Sequence, residues 1–283
     1  MGDRAETPEF LKDVETFRAL ADFGELWDAE KTLVRAAVSG VYAVVGTGAP
    51  PEKAVRSGDG ANEVRAGLLR HLALGGCPAA PTHAKGVRLL GAWIADPGDL
   101  AGCRLPAPLW CDACAFSGPI DLSDADARTV GFNGSRFSGT DGDGDCFAAD
   151  RARFAGGVFL RRGFRATGGV RLLGADIQGD LSCSGGAFEG RSGGAALHAD
   201  RCTVAGGVFL THGFHAKGTV RLLGAKIDGA LACERGRFAA PDGVALNLDD
   251  AQVGGSLFLR GRPRDEAGAP VEMFQGGVVL TRA

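Results

Sequence analysis

Residues 109–137 read LWCDACAFSGPIDLSDADARTVGFNGSRF, and small or apolar residues fall there in pairs two apart: Leu109/Cys111, Cys114/Phe116, Ile120/Leu122, Ala125/Ala127, Val130/Phe132 and Ser135/Phe137. Two apart along an extended chain places both side chains on one face. The second members advance by five residues, with one step of six. A turn must therefore come before each new pair, and Gly, Asp, Asn and Ser occupy the intervals, as tight turns prefer. A chain that turns this often, always sending two side chains to the same side, winds around a narrow interior.

Longer words recur outside this stretch. GVRLLGA occupies 86–92 and 169–175 and returns as TVRLLGA at 219–225, while GGVFLRRGF (156–164) is echoed by GGVFLTHGF (206–214). The last two are offset by 50 residues, and the register persists. Val158, Leu160, Phe164, Val170, Leu172, Ala175, Ile177, Leu181 and Cys183 return as Val208, Leu210, Phe214, Val220, Leu222, Ala225, Ile227, Leu231 and Cys233. A fixed period of this kind means a stacked array whose neighbouring units bury one another. Following the inward positions through 160, 166, 172, 177, 183, 188, 197, 204 and 210 gives eight steps per period, with a loop inserted near EGRSGG (189–194). Eight faces make two four-sided coils, which puts Leu160, Cys183, Leu210, Cys233 and Leu259 in one inward column.

The five-residue pairing resembles the pentapeptide-repeat family over roughly residues 84–283, strictly at 109–137 and more loosely elsewhere. The resemblance implies a mainly β fold, a right-handed four-sided parallel β-helix. About eight coils at the ~4.8 Å strand spacing would make a rod near 40 Å long. The same resemblance takes in an actinobacterial-type group often labelled oxidoreductase or membrane-associated oxidoreductase. These residues themselves offer no hydride chemistry.

An open stack exposes sheet edges, which invite aggregation, and residues 1–80 read as a helical cap over the first coil of an 81–283 solenoid. TPEFLKDVETFRAL opens with a Thr-Pro helix signal and aligns Phe10, Val14 and Phe17. DAEKTLVRAAV has the same character. NEVRAGLLRHLALGG offers Asn62 as a cap, Val64, Leu68 and Leu72 on one face, and Gly75 at the end. GTGAPPEKAVRSGDG (46–60) reads as a mobile loop. The C-terminal GGVVLTRA is strand-like, and its coil, Gly276 to Leu280, is a candidate homodimer contact across a two-fold axis.

Composition agrees with many turns and a buried core. Gly accounts for 46 of 283 residues, about twice the typical ~7%, and apolar residues make up 45%. The net charge of −3 specifies no polyanionic or polycationic partner. The opening MGDRAETPEF has no basic region followed by an apolar one, and AAVSGVYAVV (36–45) is about half the length of a bilayer span. The expected compartment is the cytoplasm, with no transmembrane segment.

The motifs that suggest chemistry have simpler readings. CDAC (111–114) resembles half a zinc site or a redox pair, but both cysteines fall on the inward grid and no second CxxC exists, so they read as small core residues. DGDGD (141–145) lacks the Gly and Glu that an EF-hand loop needs at its sixth and twelfth positions, since Cys146 and Ala152 stand there. VYAVVGTGAPP (41–51) puts Pro51 where a dinucleotide fingerprint needs its third Gly. In THGFH (211–215), His212 and His215 replace the Arg162 and Arg165 of the earlier copy, which suits exposed residues better than catalytic ones. No catalytic, metal or cofactor site emerges.

Charge is balanced over 81–283, with 22 basic and 22 acidic residues, but it is uneven. Residues 109–150 carry eight Asp against two Arg, and 151–171 carry six Arg and no acid. Arg88, Arg171 and Arg221 hold one position in their repeated words and are expected to form an outward ladder, with Asp150, Asp200 and Asp249 forming another. Cross-coil ion pairs on a solvated surface account for such patterning at ~0–1 kcal/mol per pair. The functional reading is a docking surface comprising Arg88, Arg171, Arg221, Arg161, Arg162 and Arg165. The expected function is a non-enzymatic scaffold or protein-binding module, with another protein as partner and no direct nucleic-acid motif. The alternatives are a DNA mimic acting on a topoisomerase, which the family resemblance implies with a strongly acidic rod, and a polysaccharide-acting β-helix enzyme.

Overall fold

The structure, a computed structural model, describes residues 20–191, 194–261, 263 and 269–281. The chain forms a four-sided parallel β-solenoid. Seven turns are complete, where the spacing predicts about eight coils, and partial turns flank them at both ends. First-face strands define coils one to seven: Val87–Leu90, Leu109–Asp112, Val130–Gly131, Val158–Phe159, Leu181–Ser182, Val208–Phe209 and Leu231–Ala232. Coil four illustrates the circuit. Val158–Phe159 lies on the first face, Arg165–Thr167 on the second, Gly169–Arg171 on the third and Asp176–Ile177 on the fourth. Each strand pairs in parallel with its counterparts one coil away. The strand Arg237–Asn247 turns the corner between the second and third faces of coil seven and joins those sheets into one. Phe274–Val279 lies parallel upon it.

The pairs read from 109–137 all face inward. Cys111, Phe116, Leu122, Ala127, Phe132 and Phe137 are buried. The column of Leu160, Cys183, Leu210 and Cys233 is fully buried, and Leu259 packs against its end. Backbone bonds tie each rung to the next, as from Leu160 N–H to Ser182 O at 2.8 Å and from Leu210 N–H to Ala232 O at 2.7 Å.

The fifty-residue period arises from two alternating kinds of coil. The second face offers two inward seats. From coil one to coil seven the first seat holds Ala92, Cys114, Ser135, Phe164, Gly186, Phe214 and Gly236, and the second holds Ile94, Phe116, Phe137, Ala166, Phe188, Ala216 and Phe238. Where one seat is Phe, the other is small. The rings zigzag up the interior at centroid distances of 5.4, 5.2, 5.2 and 5.3 Å from Phe137 through Phe164, Phe188 and Phe214 to Phe238. Coils three, five and seven also carry extra residues at the corner between the second and third faces: DGDGD, EGRSGG and Ala240–Gly243.

Two helices cover the first rungs. α1 (Asp28–Ser39) buries Ala29, Glu30, Leu33, Ala36 and Ala37, and α2 (Ala66–Ala73) buries Leu68, Leu69 and Leu72. Gly40 ends α1 at φ 68°, and a Cβ there would meet the His83 ring at 2.5 Å. The buried carboxylate of Glu30 is held by Arg65, with contacts of 2.8 Å from Nε and 2.6 Å from Nη2. The helix expected over 7–20 lies outside the described residues, apart from Leu20, which opens a short 3-10 turn (Leu20–Phe23).

Three expectations for this region are corrected. Asn62 does not cap α2. Its Oδ1 accepts from Val55 N–H and its Nδ2 donates to Lys53 O, fastening the 46–60 segment. Glu63–Val64 already pairs with Trp93–Ile94, so the helix starts only at Ala66. The VYAVV stretch also belongs to the solenoid, since Ala43–Val44 pairs in parallel with Leu89–Leu90.

Candidate functional site

On a four-sided rod, side chains between inward pairs form outward columns, and their neighbours are set by the coil above and below. The third face shows how most charges are used. Arg171 reaches back to buried Asp150, with Nη2 2.7 Å from Oδ2, and Nη1 lies 3.0 Å from Asp145. Asp150 also accepts the Leu173 N–H. Two coils on, Arg221 and His198 converge on Asp200, which accepts the Leu223 N–H. Burial raises the Asp200 carboxyl, and the hydrogen bonds from Arg221 and His198 more than reverse this, leaving its pKa below the ordinary value. These are structural rungs.

The expected ladder of Arg88, Arg171 and Arg221 is therefore corrected. Arg171 and Arg221 share a column on the third face, with His198 between them. Arg88 lies on the first face, 4.4 Å from the centroid of the Tyr42 ring. The identical GVRLLGA words occupy different faces because fourteen faces separate them, which is not a multiple of four, whereas eight separate 169–175 from 219–225. Arg161 sits at the end of the first-face rung, donating to Asn133 Oδ1 at 3.1 Å and lying over Phe159. Burial, and then the neighbouring Arg162 charge, lower its pKa. Arg162 is an exposed turn residue at φ 57°.

Arg165 is the one proposed docking residue in a different setting. It projects from the second face, directly above Arg136 on the adjacent strand. Arg136 Nη2 donates to Pro50 O at 3.3 Å, and neither guanidinium has a carboxylate partner among the described residues. Their column continues through Ala187, His215 and Arg237. Two shallow depressions follow this face. One of 380 Å³ lies between Trp93, Ala115, Arg136 and Arg165, walled by Pro51 and Glu52. The other, of 170 Å³, lies between Arg165, Ala187, Glu189, His215 and Lys217. Small Ala115 and Ala187 leave the space that the long cations border. His212, by contrast, sits exposed in a turn, and His215 is half-buried on this strand face.

Sequence reading missed Arg136, although its signal was present: it stands between the inward Ser135 and Phe137 and so must point outward. It also missed an outward aromatic series on the first face, Trp110, Phe159, Phe209 and Phe258, at every second coil. Trp110 stacks on Phe159 across Gly131, where a Cβ would lie 2.1 Å from the indole.

The tempting motifs have structural roles. All eight cysteines are free thiols, and Cys111 and Cys114 are fully buried. Burial pushes the Cys111 thiol well up and the Cys114 thiol up to about 12. In DGDGD, Asp141 Oδ1 accepts the backbone N–H groups of Asp143 and Asp145, closing the turn on itself. Among the described residues no group of three or more His, Cys, Asp or Glu could hold a metal ion, and no helix is long and apolar enough to cross a membrane.

Fold and surface together define a parallel four-sided β-solenoid with a helical end and a basic groove on its second face. Comparison of the chain with protein-family models, curated proteins and solved structures gives no match.

Proposed function

We propose that this chain is a non-enzymatic binding scaffold of the pentapeptide-repeat type, and that its second face is the docking surface. One observation carries the reading: Arg136 and Arg165 stand in register on adjacent strands, with no ion-pair partner among the described residues. Like charges directly opposite one another on a sheet cost stability. Several other cations of the rod meet carboxylates, as in Arg151–Asp124 at 2.6 Å and Arg104–Asp126 at 3.7 Å. A local rule is broken here beside a depression, and such places are where functional sites are expected. Another like-charged pair in register, Asp99 and Asp121, is tied to the N–H groups of Ala101 and Ser123. A DNA mimic would display free carboxylates, whereas Asp124, Asp126, Asp145, Asp150 and Asp200 all face arginines.

The test is affinity capture from cell extract on immobilised wild type, on Arg136→Glu/Arg165→Glu, and on Arg153→Glu as a fourth-face control. Circular dichroism would establish that all three fold. The scaffold reading expects proteins held by the wild type and the control but released by the double variant. Identical capture by all three, or none, would overturn it.

A further inference from the structure

We infer that the second face takes an acidic peptide segment lying extended along the rod axis. This deepens the scaffold reading and rests on it. Arginine presents a planar fork suited to carboxylates, and the groove offers two such forks one coil apart. Lys217, His215 and Arg237 extend the basic track toward the far end. Lys217 is shared with Glu189 at 3.1 Å, and Arg237 donates to Gln275 from Nη2, while its Nε is buried without a hydrogen-bond partner.

Length follows from the coil spacing. Arg136 and Arg237 are four rungs apart, which is ~19 Å at ~4.8 Å per rung. An extended chain at ~3.3 Å per residue covers that distance in about six residues. The ligand crosses the strands rather than joining them, because each of these strands is already paired on both sides. Recognition therefore comes from side chains: carboxylates on Arg136 and Arg165, and small residues over Ala115 and Ala187.

A peptide fits better than a nucleic acid. Glu52 and Glu189 border the two depressions and would repel a phosphate at every nucleotide. A peptide can place neutral residues opposite them. Among the described residues the outward rings lining the groove are Trp93 and His215, in separate depressions, whereas single-strand binders stack successive bases on adjacent aromatics.

The experiment is fluorescence anisotropy with a labelled peptide of about eight residues alternating Glu and Ser. A Lys/Ser peptide and a single-stranded DNA of similar length serve as further probes. Wild type is expected to bind the Glu/Ser peptide saturably and more weakly as salt rises. Arg136→Glu/Arg165→Glu should bind it roughly tenfold or more weakly and gain affinity for the Lys/Ser peptide. Equal binding by both proteins, absence of saturable binding, or preference for the DNA overturns the inference. If extract capture depends on the second face while the acidic peptide fails to bind, only the peptide chemistry falls. If both fail, the scaffold reading falls as well.

Discussion

The alternation of large and small residues inside the second face makes a quantitative demand. At coil five a Cβ added to Gly186 would sit 2.8 Å from Leu160 O, 2.8 Å from Phe188 Cε2 and 3.0 Å from Cys183 O. Two of these contacts are backbone and cannot move without shifting a rung. Gly186→Ala should therefore destabilise by ~1–3 kcal/mol, the usual cost of overpacking. Phe188→Ala removes a fully buried ring that contacts Phe164 and Phe214 at 5.2 Å each, at ~3–5 kcal/mol. The double variant is the informative one. Removing the ring relieves one of the three contacts, so the combined loss should fall short of the sum by ~1 kcal/mol, within the range for residues in contact. Guanidinium unfolding followed by far-UV circular dichroism measures all four corners of the cycle. Strict additivity would refute the claim that the two seats share one volume, and with it the explanation of the fifty-residue period.

Two further expectations concern the charged rungs and the thiols. Arg221→Ala takes one of two charged partners from buried Asp200, leaving His198 and the Leu223 N–H, and should cost ~1–3 kcal/mol, against under ~1 kcal/mol for Arg104→Ala in an exposed pair. Because the folded-state pKa of Asp200 is lowered, its contribution is present above the unfolded value of 3.8 and is lost as pH falls below it. Arg221→Ala should accordingly flatten the loss of stability on acidification, and an unchanged acid slope in urea titrations would contradict the pairing. As for the thiols, Cys146, Cys202 and Cys233 are pushed up to about 12 by burial. Cys103, half-buried at the surface, should be the first to react with a thiol reagent. Fast labelling of Cys111 or Cys114 in the folded protein would revive a redox or metal role for CDAC.

How much could be read from residues alone differs from place to place. In 109–137 every inward pair was legible, because a two-residue spacing on an extended segment leaves no other geometry. That grid also fixed which residues point outward, Arg136 included. What escaped was neighbourhood. Arg88 and Arg171 stand in the same seven-residue word yet lie on different faces, since fourteen faces separate them and corners of variable length hide that count in the residue numbers. Asn62 matched a helix cap locally, but the pairing of Glu63–Val64 with Trp93–Ile94 claimed the backbone first. The third-face arginines looked like an open ladder because the acids that answer them, Asp150 and Asp200, come from the preceding coil.

Local chemistry alone determined that this chain coils: paired small and apolar residues, glycine-rich corners and a repeating period admit a narrow stacked tube and little else. Which charges meet was decided only in three dimensions. Contact between columns depends on the residue one turn away, some 21 to 29 positions along the chain, and no short-range pattern encodes that distance when corners vary in length. The second-face groove exists for this reason. Arg136 and Arg165 are ordinary surface residues in sequence, and stacking places their like charges side by side.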